Sequence, residues 1–546
     1  MTPLRTWKFS GLGVAAPLAA LIVISPLITI AASIFETESS EILTHLWDTV
    51  LTEYVINSLL LVAGVSVLTL VLGVPAAWFT SVCSFPGQRV FVWMLLLPLA
   101  FPAYIIAYTY TGVLDYAGPV YTFLREVLGK SIADQLYFSI RTVSGAVFML
   151  GLVLYPYVYL LTRAAFLEQS VSFLEVGRTL GYSTTQGFFR LAIPLARPAI
   201  ITGLSLALME TLADYGTVAY FSISTFTTGI FRAFYGFGDL TAAAQLSTIL
   251  LLFVALLIFT ERYSRRQAKY HETAGRKTHQ TRIILRGANV FWAWLFCLVP
   301  VLFGFIIPAL ILTKWSIFDA EWDIQSFISL SWHSFELAIL AALIAVALAI
   351  LLSYARRQSE AIVVHGFISI AGLGYAIPGA IIAVGVIVPL AWMDHRLIAL
   401  FRSVFEVDTG LILSGSIFAL LFAYTVRFLA ISLNAVQTGL DKIKPSMDQT
   451  ARCLGYRKME VLGKVHIPLM RASLLTAFLI VFVDVLKELP ATLILRPFNF
   501  NTLAVRAYEL ASDERLYDAA LPSILIVLTG IIPVILLNRT MTARHS

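Results

Sequence analysis

The sequence predicts an all-α polytopic membrane protein with about twelve transmembrane helices, arranged as two parallel six-helix repeats. Its 546 residues are 59% hydrophobic and only 13% charged, whereas a soluble domain carries about 25% charged residues. Long apolar segments recur along the chain, and within a bilayer only helices or closed barrels satisfy the backbone. A polar stretch also occurs twice at a fixed distance, which indicates that the chain contains one unit in duplicate.

Twelve segments are apolar over roughly the 20 residues that a helix needs to cross a bilayer. The first follows Arg5 and Lys8 and is too long for a signal-peptide core, so we interpret it as an uncleaved span. We expect spans at about 11–35, 55–82, 90–113, 143–166, 197–223, 241–260, 289–313, 333–354, 362–390, 411–433, 471–495 and 519–538.

The distribution of basic residues predicts the orientation of these spans. With a cytoplasmic N-terminus, 26 of the 38 Lys and Arg residues fall in inside segments and 10 in outside loops, while Arg427 and Lys487 lie within spans. The first outside loop, from Glu36 to Glu53, contains five acids and no basic residue. Because basic loops favour the cytoplasmic side, both termini are predicted to be cytoplasmic.

The duplicated polar stretch reads LGYSTTQGFFRLAIPLARP from Leu180 and LGYRKMEVLGKVHIPLMRA from Leu454, an offset of 274 residues. At the same offset the likeness extends upstream. We name residues 172–198 the first polar repeat and residues 446–472 the second polar repeat. Six predicted spans separate them, so both copies are expected to face the cytoplasm in the same orientation.

Each polar repeat is predicted to form two short helices joined by a glycine turn. Two capping boxes are expected to start the first helix of each copy: Ser172 with Glu175, and Ser446 with Gln449. The turn is expected at Gly181 and Gly455, because glycine adopts the left-handed conformation that closes a helix. Ser183 and Gln186 are expected to cap the second helix of copy one, whereas Arg457 removes that cap in copy two. Pro194 and Pro468 are expected to end each unit.

A basic segment separates the two halves. Residues 261–288 are polar and rich in Lys and Arg, which fits a cytoplasmic linker better than a nucleic-acid patch. We therefore predict a first permease-like repeat at 1–260, a linker at 261–288 and a second repeat at 289–546.

The two polar repeats resemble the EAA loop of binding-protein-dependent ABC importer permeases. The first reads Glu-x-Gly-Arg-x-Leu-Gly, then eleven residues, then Ile-Pro-Leu-x-Arg-Pro. The resemblance implies that each repeat forms coupling helices that dock on an ATPase subunit. It assigns this contact to the following residues: Glu175, Gly181, Pro194, Arg197, Gln449, Gly455, Pro468 and Arg471. Gln449 and Ala472 depart from the pattern, which predicts two unequal ATPase contacts.

The resemblance also implies the partners and the location. Two copies of an ABC ATPase, one periplasmic or extracellular substrate-binding protein and the bacterial inner membrane are expected, and no nucleic acid. Gly129-Lys130-Ser131 lacks the first glycine of a phosphate-binding loop, so ATP and Mg²⁺ are expected to be used by the partner. The chain is therefore expected to bind no cofactor and to be no enzyme.

Charged residues lie inside two apolar segments that follow the polar repeats. Glu210 and Asp214 are matched at the same offset by Asp484 and Glu488, with Lys487 between the latter two. The spacing predicts that each acid pair shares one helical face, and buried charges of this kind avoid lipid. They are candidates for a cation pathway or gate, or for a structural network that includes Lys487. No metal ligands are assigned.

A third repeated element contains Arg232 and Arg506, which are candidates for the binding-protein side or an outer gate, or for simple interfacial anchors. The sequences around these residues and around the intramembrane acids resemble the ferric-iron branch of the fused permeases. Hard cations such as Fe(III) prefer oxygen ligands, but thiamine or an aminophosphonate is an alternative substrate. An ion-gradient-driven secondary transporter is the alternative of another class, disfavoured because it has no ATPase to dock.

Overall fold

The fold is built almost entirely from helices. The structure, a computed structural model, describes residues 11–35, 40–266, 283–321, 323–359, 361–407 and 410–545. Arg5, Lys8 and most of the predicted linker, residues 267–282, lie outside these ranges. The helices are Gly11–Ala32, Ser40–Thr49, Leu51–Ser81, Gln88–Met94, Ala103–Leu114, Pro119–Leu128, Lys130–Leu136, Val143–Thr179, Thr184–Gly187, Ile193–Ala213, Gly216–Tyr220, Phe226–Phe231, Leu240–Arg266, Ala288–Val301, Ile307–Lys314, Ile324–Gln358, Ile362–Ala371, Gly379–Phe405, Ile417–Asp441, Pro445–Cys453, Lys458–Val461, Ile467–Leu486, Pro490–Leu495, Leu503–Ser512 and Ala520–His545.

Short elements connect or extend these helices. Wide turns with i→i+5 hydrogen bonding occur at Phe188–Ala192, Arg232–Gly236, Leu302–Ile306, Trp315–Asp319 and Leu462–His466, and tight 3₁₀ turns at Ser33–Phe35, Leu97–Ala100 and Gly374–Ala376. Two-residue strands, Cys83–Ser84 and Ile283–Ile284, pair in parallel.

Apolar helices confirm the prediction of a polytopic all-α membrane protein. Within the described ranges, nine helices are long and apolar enough to cross a bilayer, or ten if one bent pair counts as a span. Shorter apolar helices, including Pro17–Ala32 and Ala520–Ile535, coincide with the first and last predicted spans.

Two predicted spans are interrupted by a proline, which corrects their description as single helices. The segment predicted at 90–113 breaks before Pro102, and its two arms differ in direction by 89°. The segment predicted at 362–390 breaks before Pro378. In both cases the residue before the proline is extended, Phe101 with ψ 127° and Ile377 with ψ 128°. Proline disfavours a helical conformation at the preceding residue, so each helix stops there and restarts after it.

The helices form two compact units, and each unit combines segments from both sequence halves. The first comprises Met1–Thr44, Ile230–Thr248 and Asp323–Arg506. In it, helix Gly11–Ala32 packs against Gly379–Phe405 so closely that a Cβ on Gly385 would lie 2.5 Å from the carbonyl oxygen of Pro26. Thr248 also donates a hydrogen bond of 2.8 Å to the carbonyl of Ile30.

The second unit comprises His45–Gly229, Ile249–Trp322 and Ala507–Ser546. Here helices from the second half approach the first-half helices. A Cβ on Gly304 would lie 2.9 Å from the carbonyl oxygen of Leu152, and a Cβ on Gly530 would lie 2.7 Å from that of Ala100. The boundaries of the compact units therefore differ from those of the sequence halves 1–260 and 289–546. The division into two repeated halves remains a prediction from the sequence.

Candidate coupling loops and intramembrane charges

The first polar repeat begins inside a long helix, which makes the predicted helix start at Ser172 wrong. Helix Val143–Thr179 runs without interruption for 37 residues and also carries Glu175. Residues 157–176 contain no glycine or proline, so no residue with a strong helix-breaking tendency stops the helix before Ser172.

The glycine turns have the predicted backbone conformation in both repeats. Gly181 has φ +70° and Gly455 has φ +85°, and a Cβ on either would meet no atom within 4 Å. There is space for a side chain at both positions. The backbone nevertheless favours glycine, because other residues rarely adopt a positive φ. In the second repeat, the N–H of Tyr456 donates to the carbonyl of Ala451, as expected for a helix closed by glycine.

The second short helices start with caps of different quality. Ser183 and Gln186 form the predicted capping box, with bonds of 3.0 and 3.3 Å between each side chain and the other's backbone N–H. In the second repeat, Glu460 still accepts from the N–H of Arg457 at 2.7 Å. The predicted loss of the whole cap is therefore wrong, because only the hydroxyl half is missing.

The second repeat starts its first helix two residues earlier than predicted, because Lys444 and not Ser446 is the capping residue. Helix Pro445–Cys453 follows Lys444, and Pro445 occupies its first position. Proline is favoured there because its fixed φ suits a helix and its missing N–H needs no partner. Ser446 therefore lies within the helix and does not form the predicted capping box with Gln449.

Pro194 and Pro468 do not end their units, which corrects the prediction. Each follows a wide turn, Phe188–Ala192 or Leu462–His466, within one continuous apolar helix, Thr185–Ala213 or Lys458–Leu486. An i→i+5 turn is a common way to carry a helix past a local irregularity.

Most residues that the resemblance assigns to ATPase contact are exposed. The exposed residues are Gly181, Pro194, Arg197, Gln449, Gly455, Pro468 and Arg471. Apolar side chains lie among them, with Leu180 55%, Leu454 73% and Met459 56% exposed. Each polar repeat therefore carries exposed apolar side chains beside its glycine turn.

An ionic cluster that sequence reasoning missed holds the second polar repeat. Asp448 lies on helix Pro445–Cys453, and its Oδ2 accepts from Nε of Arg357 at 2.9 Å while its Oδ1 accepts from Nε2 of His466 at 2.7 Å. His466 is fully buried, and the Asp448 side chain is 14% exposed. We name Arg357, Asp448 and His466 the ionic clamp.

Arg357 extends the ionic clamp to the preceding helix. Its two terminal nitrogens donate to the carbonyls of Leu440 and Ile443 at 2.7 and 2.8 Å. Tyr354, one turn earlier, donates to the carbonyl of Lys458 at 2.6 Å and packs its ring on His466. Burial raises the pKa of Asp448, but the hydrogen bonds from His466 and Arg357 outweigh it, so the pKa lies below its usual value. The carboxylate is therefore charged at neutral pH.

The first polar repeat is anchored by aromatic contacts. Trp78, near the end of helix Leu51–Ser81, packs against Phe166 and Phe188 with ring centroids 5.7 and 5.1 Å apart. At the offset of 274, Leu174 and Ala192 stand where the second repeat has Asp448 and His466. Neither residue can carry a charge.

Glu488 is paired with a residue that the sequence analysis left unassigned. Its Oε1 accepts from Nη1 of Arg427 at 2.9 Å, and both side chains are less than 10% exposed. Oε1 also accepts from the N–H of Ala491. Gly379 lies against this pair, and a methyl group there would overlap with both partners.

Lys487 pairs with Asp484 at 2.7 Å, as one of the predicted alternatives required. The predicted shared helical face is wrong, however, because the helices end at Ala213 and Leu486, before Asp214 and Glu488. Asp214 and Glu488 instead each accept hydrogen bonds from backbone N–H groups of the short helix that follows. Glu210 is half-buried in helix Ile193–Ala213.

Asp214 caps helix Gly216–Tyr220. It accepts from the N–H and hydroxyl of Thr217 at 3.0 Å each and from the N–H of Val218 at 3.2 Å. A small cavity of about 10 Å³, roughly the space of one water molecule, adjoins it, and its polar lining consists of Asp214, Ser58, Thr211, Thr225 and Thr227. Within the described ranges, no three His, Cys, Asp or Glu side chains converge as a metal site.

Arg232 and Arg506 occupy helical positions in the first compact unit. Arg232 is exposed and opens the wide turn Arg232–Gly236, while Arg506 is half-buried in helix Leu503–Ser512. Both engage in contacts with the protein.

The bent and broken apolar helices and the duplicated exposed turns define a multi-pass membrane permease. Residues 69–269 match the family model described as "Binding-protein-dependent transport system inner membrane component". This part of the chain is therefore similar to the inner-membrane permeases of binding-protein-dependent transport systems, the family whose loop the duplicated stretch resembles.

Several relatives have more specific names. The chain is 25% identical to the Fe(3+)-transport system permease protein FbpB 2 of Haemophilus influenzae, over 89% of this chain and 90% of the relative. It is 23% identical to the ferric transport system permease protein FbpB of Actinobacillus pleuropneumoniae, over 84% and 66%. It is also 29% identical to the molybdenum transport system permease protein ModB of Escherichia coli K12, over 41% and 96%. A nearly complete ModB thus corresponds to less than half of this chain.

Proposed function

We propose that this chain is the complete transmembrane part of an ABC importer for ferric iron. A substrate-binding protein delivers Fe(III) on the outer side, and two copies of a separate ATPase bind the polar repeats on the cytoplasmic side. The observation that carries this proposal is the duplicated turn, with Gly181 and Gly455 both at positive φ on exposed loops. One chain thereby supplies two equivalent docking elements.

The substrate follows from the relatives. The ferric permease FbpB 2 matches nearly the whole chain, whereas the molybdenum permease matches about two fifths of it. Oxygen-bearing side chains also suit a hard cation, and Asp214 with its neighbouring hydroxyl groups offers them beside the cavity. Molybdate is the second candidate, because ModB has the higher identity over its shorter match.

Reconstitution tests both the mechanism and the substrate. The chain is placed in liposomes with its ATPase and binding protein, and ATP hydrolysis is measured with Fe(III)-loaded, molybdate-loaded and unloaded binding protein. We expect stimulation by Fe(III) alone and a mass corresponding to one permease chain with two ATPase subunits. Stimulation by molybdate would reject iron, and ion-gradient-driven uptake without ATPase would reject the importer mechanism.

A further inference from the structure

Asp448 of the ionic clamp lies on helix Pro445–Cys453, which is the proposed docking helix of the second polar repeat. Its carboxylate is directed towards other parts of the same chain. Asp448 precedes the position that the family resemblance assigns to ATPase contact, Gln449. Both oxygens of its carboxylate are engaged within the chain, by Arg357 and His466, whereas Gln449 is exposed. The acidic group of this helix therefore serves an internal contact.

Three long helices converge on the ionic clamp. Arg357 belongs to Ile324–Gln358 and donates to the carbonyl of Leu440 in Ile417–Asp441. His466 belongs to the continuous helix Lys458–Leu486. Charge-assisted hydrogen bonds are short, directional and about twice as strong as neutral ones. Displacement of helix Pro445–Cys453 must therefore move these helices with it or break the ionic clamp.

The residues equivalent to Asp448 and His466 in the first polar repeat cannot form such an ion pair. Leu174 and Ala192 replace Asp448 and His466, and Trp78 contacts Phe188 through ring surfaces. Apolar contacts are non-directional, so they allow small sliding movements at little cost.

We propose that Arg357, Asp448 and His466 are positioning residues that fix the second docking helix to its spans. The second repeat then transmits ATPase movement as a rigid element, while the first repeat can slide slightly against its spans. This inference rests on the proposed docking of the polar repeats to an ATPase.

The native cysteines allow a test that needs no ATPase. Cys453 is exposed at the end of helix Pro445–Cys453, whereas Cys83 and Cys297 are buried. A nitroxide attached to Cys453 of the full chain in nanodiscs reports the mobility of that helix. We expect Asp448→Asn to increase the label's mobility and Asp441→Asn to leave it unchanged, since Asp441 is an exposed acid at the end of the preceding helix, Ile417–Asp441. Equal mobility in all three proteins would overturn the proposal.

A second test separates positioning from stability. The triple variant Arg357→Met, Asp448→Leu, His466→Leu replaces the ionic clamp with apolar groups of similar volume, and such replacements are often neutral for stability. We expect normal yield and ATPase association, with a several-fold rise in ATP hydrolysed per Fe(III) transported. A wild-type ratio in the triple variant would overturn the inference. If the unaltered chain binds no ATPase, the proposed function fails instead, while the Cys453 result still decides whether the clamp orders the helix.

Discussion

Equivalent positions in the two halves carry different chemistry, and the first polar repeat begins within a long helix whereas the second begins a separate short helix. Leu174 and Ala192 correspond to Asp448 and His466, and Asp214, bound by backbone and hydroxyl groups, corresponds to Glu488, bound by Arg427. Both polar repeats nevertheless contain the same left-handed glycine turn. The glycine turn therefore forms whether or not the positions equivalent to Asp448 and His466 carry charged groups.

The largest expected effect comes from breaking the buried ion pair. Glu488→Gln removes the charged partner of the buried Arg427 side chain, and breaking a buried ion pair in this way costs about 3–5 kcal/mol. Thermal unfolding in detergent should reveal this destabilisation. The double variant Arg427→Met, Glu488→Leu should recover most of it. Recovery would show that the ion pair is dispensable for folding. Continued instability would show that folding requires it.

The glycine turns should respond alike in both repeats. Gly181→Val and Gly455→Val each force a β-branched residue into the left-handed region, at a cost of about 1–2 kcal/mol. Docking should weaken while membrane insertion persists, as measured by co-purification of the ATPase. Gly187→Val and Gly463→Val are matched controls, because these glycines lie in the same repeats without positive φ and with equally open surroundings. Normal docking in both turn variants would exclude the glycine turns as coupling elements.

Asp214 should matter less than Glu488, because only neutral donors bind it. Asp214→Asn keeps one acceptor oxygen, and because asparagine caps helices about as well as aspartate, the cost should stay below about 1 kcal/mol. The shift in unfolding temperature, compared directly with that of Glu488→Gln, measures the difference. A loss as large as that of Glu488→Gln would mean that Asp214 carries a function beyond capping.

The smallest effect is expected at Lys487. Its side chain is 31% exposed, and partly exposed ion pairs contribute about 0–1 kcal/mol. Lys487→Met should therefore leave the unfolding temperature nearly unchanged. A marked fall in Fe(III) transport without a loss of yield would instead favour the pathway interpretation of Asp484.

Local signals explain what the sequence could predict. Hydropathy located the spans, and the glycine spacing located the turns at Gly181 and Gly455, because both depend on neighbouring residues. The ion pairs depend on contacts between distant segments. Arg427 is separated from Glu488 by 61 residues and Arg357 from Asp448 by 91 residues, and no local pattern pairs them.

Local signals also misled where tertiary context prevailed. The i,i+4 spacing of Glu210 and Asp214 suggested a shared face, but Asp214 caps the next helix and the first helix stops before it. Ser172 has the pattern of a helix start, yet the preceding helix continues through it because no glycine or proline stops it.

The packing of helix Gly11–Ala32 has a consequence for biosynthesis. This helix leaves the ribosome before its close neighbour Gly379–Phe405, which begins 347 residues after Ala32. At a synthesis rate of about 5–20 residues per second, the first helix waits roughly 20–70 s in the membrane before that partner exists. Apolar sequence is stable in lipid without a partner, so this segment tolerates a delay during which a comparable helix in water would aggregate.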